Sequence, residues 1–181
     1  MIRFRLPVLV LALVFLAGCG FHLRNRIALP SDLGPVRVVG ASTSYSALVT
    51  SLSRGLQAAG ATLAAPPGED AATPADAQVA TLRIMSERWG DLPIAVDQFG
   101  RAQEFSLRYA VVFAFTKADG TDLVPQQVVE LSRDYVSPPQ DATGTTTERE
   151  VLAEELRREM AASILRRVDG VVRSSPVNAA P

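Results

Sequence analysis

The sequence predicts an α+β fold, a two-layer sandwich in which two α-helices pack on one face of a small, mixed or mostly antiparallel β-sheet. Helix-type spacing of apolar residues occurs near residues 45–59 and again near 147–167, and strand-type alternation fills much of the region between them. No internal repeat is visible. The chain of 181 residues is long enough for one domain with its own hydrophobic core.

Residues 1–18 have the zones of a bacterial secretory signal. Arg3 and Arg5 precede an apolar run over residues 6–16, which is shorter than the roughly 20 residues of a transmembrane helix. A Leu-Ala-Gly triplet then precedes Cys19, the only cysteine of the chain. This arrangement resembles the lipobox of bacterial lipoproteins, in which lipid is attached to the thiol and cleavage makes the cysteine the new N-terminus. The alternatives are a plain secretory signal with an incidental cysteine, or an uncleaved anchor.

The lipobox resemblance implies a location. Each buried methylene contributes about 0.8 kcal/mol, so several acyl chains on Cys19 would hold the protein on a membrane essentially permanently. Residue 20 is glycine, not the aspartate that favours inner-membrane retention in this class of lipoprotein. We therefore expect a lipid-anchored protein of the outer membrane, facing the periplasm, in which residues 19–35 are the lipidated N-terminus and tether.

Composition excludes some classes of partner and of stabilising bond. The 18 basic residues less Arg3 and Arg5 leave 16 in the mature chain, against 19 acidic residues, for a formal charge of −3. This weak acidity disfavours nucleic-acid binding, which needs a concentrated basic surface. With the only thiol assigned to lipid, no internal disulfide can form, and the fold must depend on its hydrophobic core.

The domain is expected to span residues 36–169 and to begin with a short strand over residues 36–39. A helix ending at Gly60 follows, with the apolar stripe Tyr45, Leu48, Val49, Leu52, Leu56 and Ala59. Residues 65–77 are rich in proline and small residues, which predicts a flexible loop. Alternation of apolar and polar residues over 80–84 then predicts a strand with one buried face.

The strongest strand pattern comes next. One face carries Phe105, Leu107, Tyr109, Val111, Phe113 and Phe115. A helix would scatter these aromatic residues around its circumference. Asp119 and Gly120 predict a hairpin turn, and Pro125 in the return strand over 123–135 indicates a sheet edge. We expect both helices on the aromatic-rich face, which leaves the other face available for contact.

The second helix is expected after a polar loop over residues 137–146. Thr147 and Glu150 have the spacing of a capping box, and the apolar stripe is Leu152, Leu156, Met160, Ile164 and Leu165. We expect this helix to end at residues 169–170. Residues 170–181 contain few apolar side chains, which predicts a disordered C-terminal tail.

This order of elements, together with Cys-Gly-Phe-His-Leu-Arg at residues 19–24, resembles the LptE family of lipopolysaccharide-assembly lipoproteins. The resemblance covers most of the mature chain. Besides the start motif, it depends on Gly100 followed by Glu104 and Phe105, on Arg133 and Tyr135, and on the helix over 148–167 with its paired basic residues.

The resemblance implies a non-enzymatic function without a cofactor or metal. In that family the lipoprotein sits as a plug inside the β-barrel LptD, helps the barrel to assemble, and binds lipopolysaccharide during its export to the cell surface. The implied partners are therefore an LptD-like barrel, whose lumen the protein enters from the periplasmic side, together with lipopolysaccharide and the outer membrane.

Ligand contact would come from basic side chains, because a guanidinium binds phosphate oxygens in bidentate fashion. The resemblance implies such residues just before the glycine of the Gly100 turn, where this chain has Asp97, Gln98 and Phe99. We single out Arg101, beside this turn, and Arg88, before it, as candidate lipopolysaccharide contacts. The alternative is that both are ordinary solvated arginines.

The segment between these two arginines is unusually apolar for a connection. It contains Trp89, Leu92, Ile94, Val96 and Phe99. Two interpretations remain open, namely a continuation of the preceding strand in the core or a loop that contacts the barrel.

Signatures of catalysis are missing from the sequence. The sole histidine, His22, lies three residues after Cys19, where a triad or metal site is difficult to build. No nucleophile elbow or phosphate-binding loop occurs. Two further hypotheses remain, a freestanding periplasm-facing lipoprotein that binds a ligand, and a lipid-anchored envelope hydrolase, which needs a cleft with converging acids.

Overall fold

The computed structural model of the chain describes residues 27, 29–30, 33–41, 46–65, 78–137 and 142–174. Its elements follow the predicted order. They are β1 (Val36–Val39), α1 (Ala47–Ala58), β2 (Ala80–Val96), β3 (Ala102–Thr116), β4 (Asp122–Val136) and α2 (Ala142–Ser174). The signal peptide, Cys19, His22 and residues 66–77 lie outside the described residues, so the expectations for them stay predictions.

The four strands form one mixed sheet in the order β1-β2-β3-β4. β1 runs parallel to β2 but covers only residues 80–83 of it. β3 pairs antiparallel with both β2 and β4. Pro125 lies on β4, which is an edge strand as predicted, and it falls where the β3–β4 register shifts between Val124 and Gln127, a position that tolerates a missing N–H.

The alternation along β3 determines where the core lies. Leu107, Tyr109, Val111, Phe113 and Phe115 are all fully buried, and Phe105 is half-buried. Both helices contribute to the same core, through side chains that include Leu48, Leu52, Leu56, Leu156, Met160 and Ile164. The predicted two-layer sandwich, with both helices on the aromatic-rich face, is therefore confirmed.

α1 has well-defined ends. Ser46 is its N-cap, and the Ser46 hydroxyl accepts the N–H of Val49 at 3.1 Å. The chain leaves the helix at Gly60, whose φ of 98° lies in the left-handed region that favours glycine. Within the helix, a Cβ at Gly55 would overlap the Leu165 side chain of α2. Gly55 therefore allows the two helices to approach closely.

α2 is longer at both ends than the sequence predicted. It begins at residue 142, so Thr147 and Glu150 lie inside it and the predicted capping box is wrong. It also continues to residue 174, so the prediction of a disordered tail is wrong for residues 170–174. Glycine costs a helix only about 1 kcal/mol relative to alanine, whereas burying Val172 contributes roughly 1.5–3 kcal/mol, and this packing decides the outcome. Residues 175–181 lie outside the described part of the chain.

No helix in the described ranges is both long and apolar enough to cross a membrane.

β2 extends well beyond the predicted strand over 80–84. It includes Trp89 and the apolar residues up to Val96, so these residues continue the strand. Trp89 packs against the core, but Leu92, Ile94 and Val96 are exposed, so the interpretation of a strand continued in the core is wrong for these three residues. Trp89 is half-buried, but Leu92 is 45% exposed and Val96 is 63% exposed. Leu92 pairs with Ser106 of β3, which lies on the sheet face turned away from the helices, so neither described helix covers Leu92.

Candidate interaction surface

Part of the sheet projects beyond β1. Because β1 covers only residues 80–83, residues 84–96 of β2 have no strand on that side among the described residues. We call residues 84–113, together with residues 127–137 of β4, the hairpin end. Its three strands form a regular ladder apart from irregularities near Met85, Ile94 and Gln103.

A tight turn closes the hairpin end, and Asp97 organises it. The Asp97 carboxylate accepts the backbone N–H groups of Phe99 at 2.8 Å and of Arg101 at 2.9 Å. It also accepts side-chain hydrogen bonds from Arg101 at 2.7 Å and Gln103 at 3.3 Å. These bonds, led by the backbone N–H of Arg101, lower the pKa of Asp97. Gly100 completes the turn with a φ of 75°.

The turn presents an aromatic ring and a cation together. Phe99 is 72% exposed, and the guanidinium carbon of Arg101 lies 5.2 Å from its ring centroid. This distance is within the range of a cation–π contact. The tip of the hairpin end therefore offers solvent an apolar surface next to a positive charge.

The structure does not bring the two predicted site arginines together. Arg101 lies at the tip, whereas Arg88 lies in β2 opposite Ala110 of β3. Ala110 is eight positions along β3 from Ala102 next to the turn, a distance of roughly 26 Å at 3.3 Å per residue. Arg101 pairs with Asp97, but within the described chain Arg88 forms no ion pair. One phosphate group could not contact both.

The sheet face turned away from the helices, which we call the open face, carries mostly small side chains and separated charges, together with the exposed apolar residues Leu92 and Val128. On β3 the residues facing this side include Ser106, Arg108, Ala110, Val112 and Ala114. β2 contributes the basic residues Arg83 and Arg88, and β4 contributes the acidic residues Glu130 and Asp134. Arg108 and Glu130 approach to 3.6 Å across the middle. The open face is therefore basic along β2 and acidic along β4.

The opposite face of the hairpin end contacts α2 through polar groups. Arg149 of α2 donates two hydrogen bonds to Asp91, at 2.9 Å and 2.8 Å, and the Tyr135 hydroxyl donates a third at 3.0 Å. The bonds from Arg149 lower the pKa of Asp91 despite the opposing effect of desolvation. Arg133 of β4 forms an ion pair with Glu159 of α2.

Trp89 is the centre of a second group of contacts on this face. Its ring stacks on Tyr109 with centroids 3.8 Å apart, and the Arg157 guanidinium lies over it at 5.2 Å. The Tyr109 hydroxyl donates to Glu87 at 2.7 Å. Burial and this hydrogen bond raise the pKa of Tyr109 above its ordinary range.

Sequence reasoning missed the contacts of Asp91, Glu87 and Arg149. Glu87 falls after the predicted strand, Asp91 falls in the segment with two open interpretations, and Asp91 and Arg149 are 58 positions apart. The available signal is the alternation of Leu92, Ile94 and Val96, which indicates a strand but does not identify its partner.

These groups do not form a recognisable metal or catalytic centre. Among the described residues, no three His, Cys, Asp or Glu side chains are grouped as metal ligands. A cavity of about 450 Å³ lies at the other end of the domain, near Leu33, Pro35 and Gly60, and its described lining contains no ionisable side chain. The converging acids that a hydrolase needs are not found there.

Comparison with known proteins identifies the family. The model of the LptE family, described as lipopolysaccharide-assembly, matches residues 33–168, which is most of the chain. The chain belongs to the LptE family. The resemblance noted in the sequence is thereby confirmed, and the family's function in lipopolysaccharide assembly is non-enzymatic.

Curated LptE relatives match almost the whole chain. The chain is 27% identical over 168 residues to the LPS-assembly lipoprotein LptE of Photorhabdus laumondii, covering 92% of this chain and 86% of that protein. It is 30% identical over 168 residues to LptE of Yersinia pestis, covering 92% of this chain and 76% of that protein.

Solved structures support the fold. The solution NMR structure of lipoprotein B from Nitrosomonas europaea has a TM-score of 0.62 at 20% identity, covering 88% of this chain and 97% of that chain. The crystal structure of rare lipoprotein B from Shewanella oneidensis has a TM-score of 0.58 at 23% identity, covering 79% of this chain and 97% of that chain.

Proposed function

We propose that this LptE-family chain is a lipoprotein anchored in the outer membrane through Cys19, that it plugs and helps to assemble an LptD-like β-barrel, and that it assists delivery of lipopolysaccharide to the cell surface. The observation that carries the proposal is the open face, which presents small side chains and separated charges on a firmly packed sandwich. Such a face suits the polar, water-filled lumen of a large membrane barrel.

The continuous hydrophobic core of the domain supports the plug function. A plug must keep its shape while the barrel closes around it, and here the core is continuous from α1 through the sheet to α2. Neither of the two described helices lies over the open face, so this face is available for contact along β2, β3 and β4. Its charges are complementary to a wall that is acidic opposite β2 and basic opposite β4.

Contact with lipopolysaccharide is assigned to Arg101 and, at a separate place, to Arg88. Arg101 lies beside the exposed Phe99 ring, so a phosphate and an acyl chain of one lipid could be contacted together. The Asp97 carboxylate accepts a hydrogen bond from Nε of Arg101, which leaves the two terminal nitrogens of the guanidinium for a phosphate. Arg88, exposed on the open face, would meet a second phosphate or the barrel wall.

Co-purification tests the barrel partner. The full-length tagged chain is purified from outer membranes in mild detergent, and mass spectrometry determines both its partners and the modification of Cys19. We expect a large β-barrel in stoichiometric amount and a triacylated Cys19. A monomeric chain without a barrel would contradict the plug and favour the freestanding ligand-binding lipoprotein, and an unmodified thiol would contradict the anchor.

Photo-crosslinking tests the two contacts separately. A crosslinking amino acid replaces Val112 on the open face or Arg101 at the tip, and Lys117 in the opposite turn is the control. We expect barrel adducts from position 112, lipopolysaccharide adducts from position 101, and no lipopolysaccharide adduct from position 117. Equal lipopolysaccharide labelling from positions 101 and 117 would contradict the assignment to the tip.

A further inference from the structure

The two halves of α2 are held to the sheet by different forces. From Leu156 to Val172 nearly every turn buries an apolar side chain, including Met160, Ile164 and Val168, which are completely buried. Between residues 145 and 151 no side chain is buried, and Val151 is 55% exposed. Apolar burial therefore fixes the second half of the helix, whereas its first turns depend on other contacts.

A polar contact anchors this first half. The Arg149 guanidinium donates two nearly parallel hydrogen bonds to the Asp91 carboxylate, and the Tyr135 hydroxyl donates to the same carboxylate. The Tyr135 ring in turn stacks on Phe105 of β3, with centroids 5.6 Å apart. One carboxylate thus joins β2, β4 and α2, and the stacked rings connect it to β3.

We infer that Asp91, Arg149 and Tyr135 form a latch that holds the start of α2 on the hairpin end and can open without unfolding the domain. The Asp91 and Arg149 side chains are 31% and 37% exposed, so water competes for both. An exposed ion pair contributes little to stability, and bidentate geometry strengthens it only moderately. The latch therefore opens far more often than the domain unfolds.

The latch also determines how two surface segments are placed relative to each other. Asp91 lies six positions before Asp97, the residue at which the tip begins. At the end of β4, the backbone N–H of Ser137 donates to the carbonyl oxygen of Gln103 at 2.8 Å. The start of α2 follows β4 on the same side of the domain. Asp91 and Arg149 are therefore positioning residues, because their pair fixes the start of α2 against β2 six residues before the tip.

Hydrogen exchange of the full-length lipidated chain in detergent micelles tests the latch. With Asp91→Asn, we expect amides in residues 148–152 to exchange about 3- to 10-fold faster, as loss of a partly exposed bidentate ion pair implies. Amides in residues 160–168 should change less than twofold, because the core still holds that half. Arg149→Lys keeps the charge without the bidentate geometry and should have an intermediate effect.

Two further variants separate local opening from general loss of stability. Tyr135→Phe keeps the ring stack but removes one hydrogen bond, so its effect should be smaller than that of Asp91→Asn. Asp169→Asn changes an ion pair with Arg173 at the other end of α2 and should leave residues 148–152 unaffected. Unchanged exchange at 148–152 in Asp91→Asn, or equal acceleration along all of α2, would overturn the latch. This result does not depend on a barrel partner.

Discussion

Two aspartates determine the local geometry of the hairpin end, and they do so in different ways. Asp97 accepts hydrogen bonds from groups within six residues of itself. It therefore stabilises a local turn, of a kind that any solvent-exposed hairpin could have. Asp91 bonds to residues 44 and 58 positions away, so it connects separate elements. Both have lowered pKa values because hydrogen-bond donors favour the charged carboxylate.

The lowered pKa of Asp91 predicts how acid affects the latch. Its pKa in the folded chain lies below the ordinary value of 3.8, so the contribution of Asp91 to stability is fully present above about pH 4. This contribution is lost as the pH falls through the lower folded pKa. Carboxyl NMR of the full-length chain should therefore show Asp91 titrating with a midpoint below 3.8, and a midpoint at or above 3.8 would contradict the bidentate geometry. The signal assigned to Asp91 must be missing from Asp91→Asn.

At the scale of elements, the two helical glycines provide a matched test of packing. A Cβ at Gly55 would overlap Leu165, whereas a Cβ at Gly170 meets nothing within 4 Å. Gly55→Ala should lower the free energy of unfolding by about 1–3 kcal/mol, because overpacking outweighs the gain in helix propensity. Gly170→Ala should raise it by about 0.5–1 kcal/mol through propensity alone. Denaturant unfolding of both variants measures the difference, and effects of the same sign would contradict the close helix contact.

The elements also show what a sequence can and cannot predict. β3 was predicted because the side on which each residue lies follows from its position in the strand alone. The ends of α2 were not predicted, because the helix tolerates a glycine at position 170 only when Val168 and Val172 are packed in a core. Whether Leu92 is buried depends on which face of the sheet the helices cover, which nothing in its own segment encodes. The Asp91–Arg149 pair similarly requires the final packing of β2 against α2.

At the scale of the whole molecule, the fold divides into a structural side and a contact side. The helices and the aromatic-rich face of the sheet bury most of the large apolar residues, and the open face keeps mostly small and charged ones, with Leu92 and Val128 exposed among them. Val112 and Val128 pair across β3 and β4 in the middle of the open face. In the isolated protein this surface is compatible with water because its charges remain hydrated. In a polar barrel lumen, complementary groups of the wall can replace that water.

This division predicts that charge reversals on the two sides have unequal effects on the proposed barrel complex. Arg88→Glu places a negative charge on the basic side of the open face, where it would meet the acidic groups expected on the barrel wall. Like charges at an interface cost several kcal/mol, so recovery of the barrel with the tagged chain should fall at least about tenfold. Arg158→Glu is the matched control, since Arg158 is 71% exposed on α2 and pairs only with Glu154 on its own helix among the described residues. Equal recovery with both variants would contradict the assignment of the open face as the barrel contact, while circular dichroism establishes that each variant is folded.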